Sequence, residues 1–312
     1  MTSVRSPRVL LILTCGVISF TFAPILVRWA NDAPGLAIAA WRNVLAVVML
    51  APFALVRIRD EVRAFDRTDI LLIGAAGLFL GLHFITWIES LYHTTVASAS
   101  VFVTTSPVFL AVLGFFLLGE RLSWKTLAGV GTAVSGAILI GWGDAGTNAS
   151  LGGDGAIWGN ALALSASLLV SVYLLIGRIV RQNVSWLAYV FPLYAVSALT
   201  TLVAAWSVGT PLFGYDLAFY GLCGAMALGP QIIGHGAFNY GVQFLPATLV
   251  GMMALLEPVG ASALAFVFFA EVPLPLAVVG MLIVLGGVSL VIWSRRGEDV
   301  EPTSERGEKT GP

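Results

Sequence analysis

Glu257 lies in the stretch "PATLVGMMALLEPVGASALAFVFFAE", where one carboxylate precedes Pro258 inside a run of apolar side chains. A carboxyl group there can bind a cation or cycle a proton. It can also donate to a backbone carbonyl that the proline leaves without its helical partner. Arg42, in "AAWRNVL", raises the complementary question, because a guanidinium at depth calls for a carboxylate, backbone carbonyls or an anionic ligand. His83 and Trp87 are four residues apart, as are His235 and Asn239, so each pair shares one helical face. Each histidine could bind a ligand, relay a proton or hold a neighbouring helix. Ser106 precedes Pro107 as Glu257 precedes Pro258. These seven residues are the candidate substrate-binding groups of a cavity. Arg28, Asp32 and Glu89 stand near the ends of apolar runs and are expected to form an outer ion-pair cluster with Arg42. Arg28 and Glu89 are the outer gate candidates.

Other chemistries are poorly represented. No CxxC, HExxH, GxSxG or glycine-rich phosphate loop occurs in a suitable context. Cys15 and Cys223 both fall in apolar runs and read as small core residues. No catalytic residue, metal or cofactor is therefore expected. The polar groups are scattered singly, whereas an intramembrane enzyme needs an acid, base and nucleophile at one depth. A formal net charge of -1 gives no reason to expect nucleic-acid binding.

The elements that position these groups follow from composition. The 312 residues are 58% hydrophobic and 11% charged, with a mean hydropathy of +0.92. Soluble domains are about a quarter charged, so this is an integral membrane protein surrounded by a lipid bilayer. Ten runs reach the ~20 residues that cross a bilayer: 9–29, 35–57, 69–91, 95–118, 125–143, 155–177, 186–208, 216–239, 247–270 and 274–294. Backbone groups cannot go unpaired in lipid, which makes each run a helix and the fold all-α. The first run has no small-x-small cleavage site and is read as an uncleaved span. With the N-terminus inside, fourteen of sixteen basic residues fall in inner segments, so both termini are expected to be cytoplasmic. The charged segment 297–312 is expected to be a disordered tail. Glu257 is about eleven residues into its span, or about 16 Å deep at 1.5 Å per residue, close to the membrane midplane.

The chain also repeats itself. A shift of 151 residues lays "SPVFLAVLGFFLLGERLSWKTLAGVGTAVSGAIL" on "EPVGASALAFVFFAEVPLPLAVVGMLIVLGGVSL". Pro107 then matches Pro258, Phe115 matches Phe266, Gly129 matches Gly280 and Gly136 matches Gly287. Five spans per copy is an odd number, so the second copy enters the membrane inverted, an architecture associated with secondary transporters. The copies are placed at residues 1–143 and 154–296. Glycines 74, 77, 81, 129, 136, 280 and 287 read as helix-packing surfaces. Glu120 and Glu271, in tight turns, read as caps on the helices that follow.

Through "PGLAIAAWRNVLAVVML", "TTVASASVFVTTSPVFLAVLGFFLLGERLSWKTLAGVGTAVSGAILI" and "LPATLVGMMALLEPVGASALAFVFFAEVPLPLAVVGMLIVLGGVSLVI", the chain resembles the drug/metabolite transporter superfamily, in its ten-helix EamA-type branch. The resemblance covers about residues 8–295. It implies alternating access for a small organic metabolite, such as an amino acid or amine, more often exported, across a bacterial inner membrane. It also implies cavity walls from spans one, three, four, six, eight and nine. Proton coupling through Glu257, His83 or His235 is a further expectation, and the oligomeric state is open between monomer and homodimer. A channel or non-transporting receptor is the alternative.

Overall fold

The computed structural model describes residues 7–30, 32–94, 96–119, 123–145, 154–270, 272 and 275–298. Glu120, Glu271 and all but the first two residues of the segment 297–312 lie outside them. The described residues form helices and connecting turns, without strands. The first half contains α1 (Pro7–Thr21), α2 (Ala23–Trp29), α3 (Gly35–Arg57), α4 (Arg59–Arg63), α5 (Arg67–His93), α6 (Val96–Val103), α7 (Ser106–Leu118) and α8 (Trp124–Ala145). The second contains α9 (Asp154–Val180), α10 (Trp186–Ser207), α11 (Leu217–Met226), a π-helical segment (Ala227–His235), α12 (Gly236–Gly241), α13 (Ala247–Ala254), α14 (Glu257–Phe269) and α15 (Pro275–Glu298).

Eight spans among the described residues are long and apolar enough to cross a membrane. Four of them are composite: α1 with α2, α6 with α7, α11 through α12, and α13 with α14. Helices α8 and α15 occupy the positions of the expected fifth and tenth spans but are not among the eight. The outer surface is apolar, with Phe116, Trp206 and Leu217 exposed by 75, 81 and 89%. Large hydrophobic side chains on the outside and polar ones within suit a lipid solvent.

Helix ends follow local chemistry. Asp66 and Asp69 form a reciprocal capping box at the start of α5, and Asp216 accepts from the Phe219 amide at the start of α11. Helix α7 ends on Gly119 in the left-handed conformation (φ 64°), which glycine adopts without steric cost. Ala270 ends α14 in the same conformation (φ 54°), 151 residues later. The break between α6 and α7 falls at Thr104–Thr105, and that between α13 and α14 at Leu255–Leu256, again 151 apart. Around both, backbone bonds shorten to the three-residue pattern, as in Thr105 to Phe102 and Leu255 to Met252. Pro107 and Pro258 follow as the second residues of α7 and α14, just after each break.

Helices α8 and α15 make the internal symmetry visible. A Cβ on Gly136 would lie 2.6 Å from the Gly280 carbonyl oxygen, and one on Gly287 2.8 Å from that of Gly129. Since 136 meets 280 and 287 meets 129, the helices run antiparallel and each uses the same pair of glycines. Small residues let the backbones touch. Gly77 and Gly81 do the same against Val196 and Thr200 of α10. Gly74 has no neighbour within 4 Å of a built Cβ, so it is no packing site. Cys223 is buried, but Cys15 is exposed on α1 and does not belong to the core.

Candidate functional site

A cavity lies among the broken helices. Six of the seven candidate substrate-binding residues line it: Arg42, His83, Trp87, Ser106, His235 and Glu257. Apolar and aromatic side chains, including Phe20, Phe84, Val170, Leu174 and Phe238, make up most of the remaining wall. Spans one, three, four, six, eight and nine all contribute, and span two adds Arg42. That contribution is beyond what the family resemblance implies. Each polar group is held differently.

Arg42, on α3, is 1% exposed. Its Nε donates to Gln231 Oε1 at 3.2 Å, and its guanidinium lies over the Phe84 ring, 4.1 Å from the centroid. Gln231 Nε2 in turn donates to Asn43 Oδ1 at 2.9 Å, which also receives the Ser197 hydroxyl at 2.8 Å. The Tyr194 hydroxyl donates to the Gln231 carbonyl at 2.7 Å. This chain of hydrogen bonds fixes one edge of the guanidinium. The terminal nitrogens of Arg42 make no hydrogen bond among the described residues. Among the described residues no carboxylate pairs with Arg42. A neutral amide takes the place of the expected carboxylate, while Glu89 pairs with His93 at 3.2 Å. The Arg28 guanidinium lies over the Phe269 ring at 4.2 Å. Neither Arg28 nor Glu89 lines the cavity.

His83 and His235 approach each other, with ring centroids 5.8 Å apart. His83 Nδ1 donates to the Ala166 carbonyl at 2.9 Å, so its proton sits on that nitrogen. His235 Nδ1 is 3.1 Å from the Tyr173 hydroxyl, and either can donate. Phe20 and Phe84 pack edge-on against His235 at 4.9 and 5.1 Å. Both rings are therefore oriented by neighbouring helices and also reach the cavity.

Glu257 is the first residue of α14, at the amide end of a half-helix in mid-span. That end carries partial positive charge. The side chain is 8% exposed and makes no hydrogen bond or ion pair among the described residues. The expected donation to a freed carbonyl is absent. The Trp87 indole nitrogen is also buried without a partner.

Asn239 is the one of the seven that does not line the cavity. It is fully buried and absent from the cavity wall, and both atoms of its amide lack partners. One turn beyond His235 the α12 face has rotated behind the cavity, and the Asn239 carbonyl accepts from Arg181 instead. The π-helical segment ends at His235, and α12 carries Phe238 rather than Asn239 to the wall. The π-helical segment also supplies Gln231, which sequence reasoning missed. Pro230 inside the span was the available signal.

Broken mid-membrane helices around a buried, partly polar cavity define a polytopic carrier-type membrane protein. The EamA-like transporter family matches the chain twice, over residues 7–142 and 157–293, and the chain belongs to that family. Its curated relatives include a probable terminal-alkyne amino-acid exporter of Streptantibioticus cattleyicolor, 29% identical over 73% of this chain and 74% of the relative. The uncharacterized transporter YetK of Bacillus subtilis is 26% identical over 79% of this chain and 74% of its own. Solute carrier family 35 member G1 of Mus musculus is 25% identical over 85 and 73%. A protein of known crystal structure shares the fold, with a TM-score of 0.76 at 18% identity, covering 93% of this chain and 99% of its own.

Proposed function

We propose that the chain is a secondary transporter that exports a small organic metabolite, such as an amino acid or amine, by alternating access. The observation that carries this reading is the cavity itself, which draws Arg42, His83 and Ser106 from one copy of the repeat and His235 and Glu257 from the other. Two halves in opposite orientation can exchange conformations around a shared site, giving openings to either face. The paired breaks at Thr104–Thr105 and Leu255–Leu256 are the natural flexing points, because the ladder of backbone bonds is interrupted there. The distribution of arginine supports cytoplasmic termini and residence in a bacterial inner membrane. Glu257 is the first candidate for carrying a coupling proton, with His83 and His235 next.

Untargeted metabolite profiling of cells and medium, with and without overexpression, tests the reading. A compound that leaves the cell faster with the wild-type protein is expected, and no shifted compound contradicts it. For coupling, Glu257→Gln is expected to abolish the response of proteoliposome transport to an imposed pH gradient. An unchanged response assigns the proton elsewhere.

A further inference from the structure

Five fully buried side-chain polar atoms lack a partner among the described residues, and three of them belong to Tyr189 and Asn239. Buried polar groups are normally paired, so this grouping calls for a physical reason. The two residues lie between the cavity wall and the arginine-rich face. On the α9 side, Tyr173, Gly177 and Arg181 recur every four residues, and the Arg181 amide still bonds to the Gly177 carbonyl, so the three share one side of the helix. The Tyr173 hydroxyl is 3.1 Å from His235 Nδ1 at the cavity. The Tyr189 hydroxyl sits against Gly177, 3.0 Å from where a Cβ would stand. The Asn239 amide approaches the Tyr173 and Tyr194 hydroxyls without hydrogen-bond geometry to either. Beyond them comes a clamp. Arg181 donates to the Asn239 and Val184 carbonyls and to Gln243 Oε1, Arg178 to the Val242 and Gln243 carbonyls, and Trp186 Nε1 to the Gly236 carbonyl at 2.8 Å. From Leu174 on the cavity wall to Arg181 is seven residues, or about 10 Å of helix.

We propose that this seam is the collapsed half of the transport passage, leading from the cavity to the arginine-rich face, and that Tyr189 and Asn239 line it when it opens. The proposal rests on the transporter reading. The parting surfaces are α9 with α10 on one side and α12 with its following turn on the other, because Arg178, Arg181 and Trp186 all reach across that boundary. Two terms then oppose each other. The bonds of the clamp favour the closed seam. The unpartnered hydroxyl and amide favour the open one, since water reaches them only there. Their opposition keeps the closed and open states close in energy, as alternating access requires: a carrier that strongly favours one state is trapped in it. Asn239 then has a role beside the cavity rather than on its wall. It faces the passage, and its unsatisfied amide offsets the clamp that its own carbonyl helps to build.

Opposed variants test this. Tyr189→Phe and Asn239→Leu remove the unpartnered groups while keeping the shape, and Gln243→Ala removes one acceptor of the clamp. Each is placed in a Cys15→Ser, Cys223→Ala, Ser106→Cys background, whose single thiol lies on the cavity wall. A membrane-impermeant maleimide is applied to either face of the membrane, after size-exclusion profiles and melting curves establish that each variant is folded. Where Asn239→Leu does not fold, Tyr189→Phe, which loses one oxygen, carries the test. Tyr189→Phe and Asn239→Leu are expected to slow labelling from the arginine-rich face about tenfold, the shift that one unpartnered buried group commands. Gln243→Ala is expected to speed it. Asn239→Cys, in place of Ser106→Cys, is expected to be labelled from the arginine-rich face alone. Unchanged labelling in Tyr189→Phe and Asn239→Leu overturns the proposal and marks their groups as bridged by a permanently trapped water. Slowing from both faces alike also overturns it, as does Asn239→Cys labelled from neither face or from the opposite one. If Ser106→Cys without further substitution is labelled from one face only, the transporter reading falls too. If it is labelled from both faces but is indifferent to the variants, the seam alone falls.

Discussion

Arg42 and Arg181 are both buried, at 1 and 2% exposure, and the protein treats them in opposite ways. All three guanidinium nitrogens of Arg181 are used: Nε donates to the Asn239 carbonyl at 3.1 Å, Nη1 to the Val184 carbonyl and Nη2 to Gln243 Oε1 at 2.6 Å. Arg178 adds bonds to the carbonyls of Val242 and Gln243 at 2.9 and 3.1 Å. Together they clamp the end of α9 to the turn between α12 and α13. This turn lies on the arginine-rich face, where Glu61 also binds the Ser185 amide and hydroxyl. Arg42 has one such bond and an aromatic ring. A buried cation whose donors are all spent is architecture. A buried cation with donors to spare, on the wall of a cavity, is the candidate binding group.

The largest effect should come from Arg181→Met, which leaves three acceptors unsatisfied and is expected to cost about 3–5 kcal/mol of stability. Arg42→Met, by contrast, replaces an incompletely paired buried charge with an apolar chain and should stay within about 1 kcal/mol of wild type. Thermal unfolding in detergent reads both, and equal losses would erase the distinction. Next, Gly136→Ala pushes a methyl group into the α15 backbone and is expected to destabilise by about 1–3 kcal/mol. Gly74→Ala meets nothing and should gain about 0.5–1 kcal/mol from helix propensity. Melting the two variants side by side separates packing from propensity. Gln231→Leu is expected to slow exchange about tenfold, equivalent to about 1.4 kcal/mol, by releasing the Nε edge of Arg42. A rate unchanged in folded protein removes Gln231 from any positioning role. A gain of about 1 kcal/mol is also expected for Ala270→Gly, which relieves a left-handed alanine where the first copy has Gly119.

Much of this was legible in the sequence because the physics is periodic. Lipid forces helices, and the 151-residue offset aligns Pro107 with Pro258 and Gly136 with Gly287. Those alignments pointed to disturbed helices at both prolines and to the glycines as packing surfaces, and the structure adds which glycines meet. Polar residues within apolar runs are rare, and six of the seven singled out on that ground lie on the cavity wall. What failed was whatever depends on local register or long-range partners. Asn239 was placed by sharing a face with His235, whereas α12 turns Phe238 to the wall. Arg42 was expected to meet an acid, but its partner is Gln231, 189 positions away and neutral, which no charge pattern reveals. Arg181 did not stand out among the inner-segment basic residues, because two of its three acceptors are backbone carbonyls, invisible in side-chain types.

Substituted-cysteine accessibility tests the central claim, that this mid-membrane cavity opens to each face in turn. In a Cys15→Ser, Cys223→Ala background, Ser106→Cys places one thiol on the cavity wall. A membrane-impermeant thiol reagent is applied to right-side-out and inside-out vesicles. Labelling from both sides, slowed from both by a transported compound, is the predicted result. Labelling from neither side, or from one side alone whatever compound is present, would contradict it.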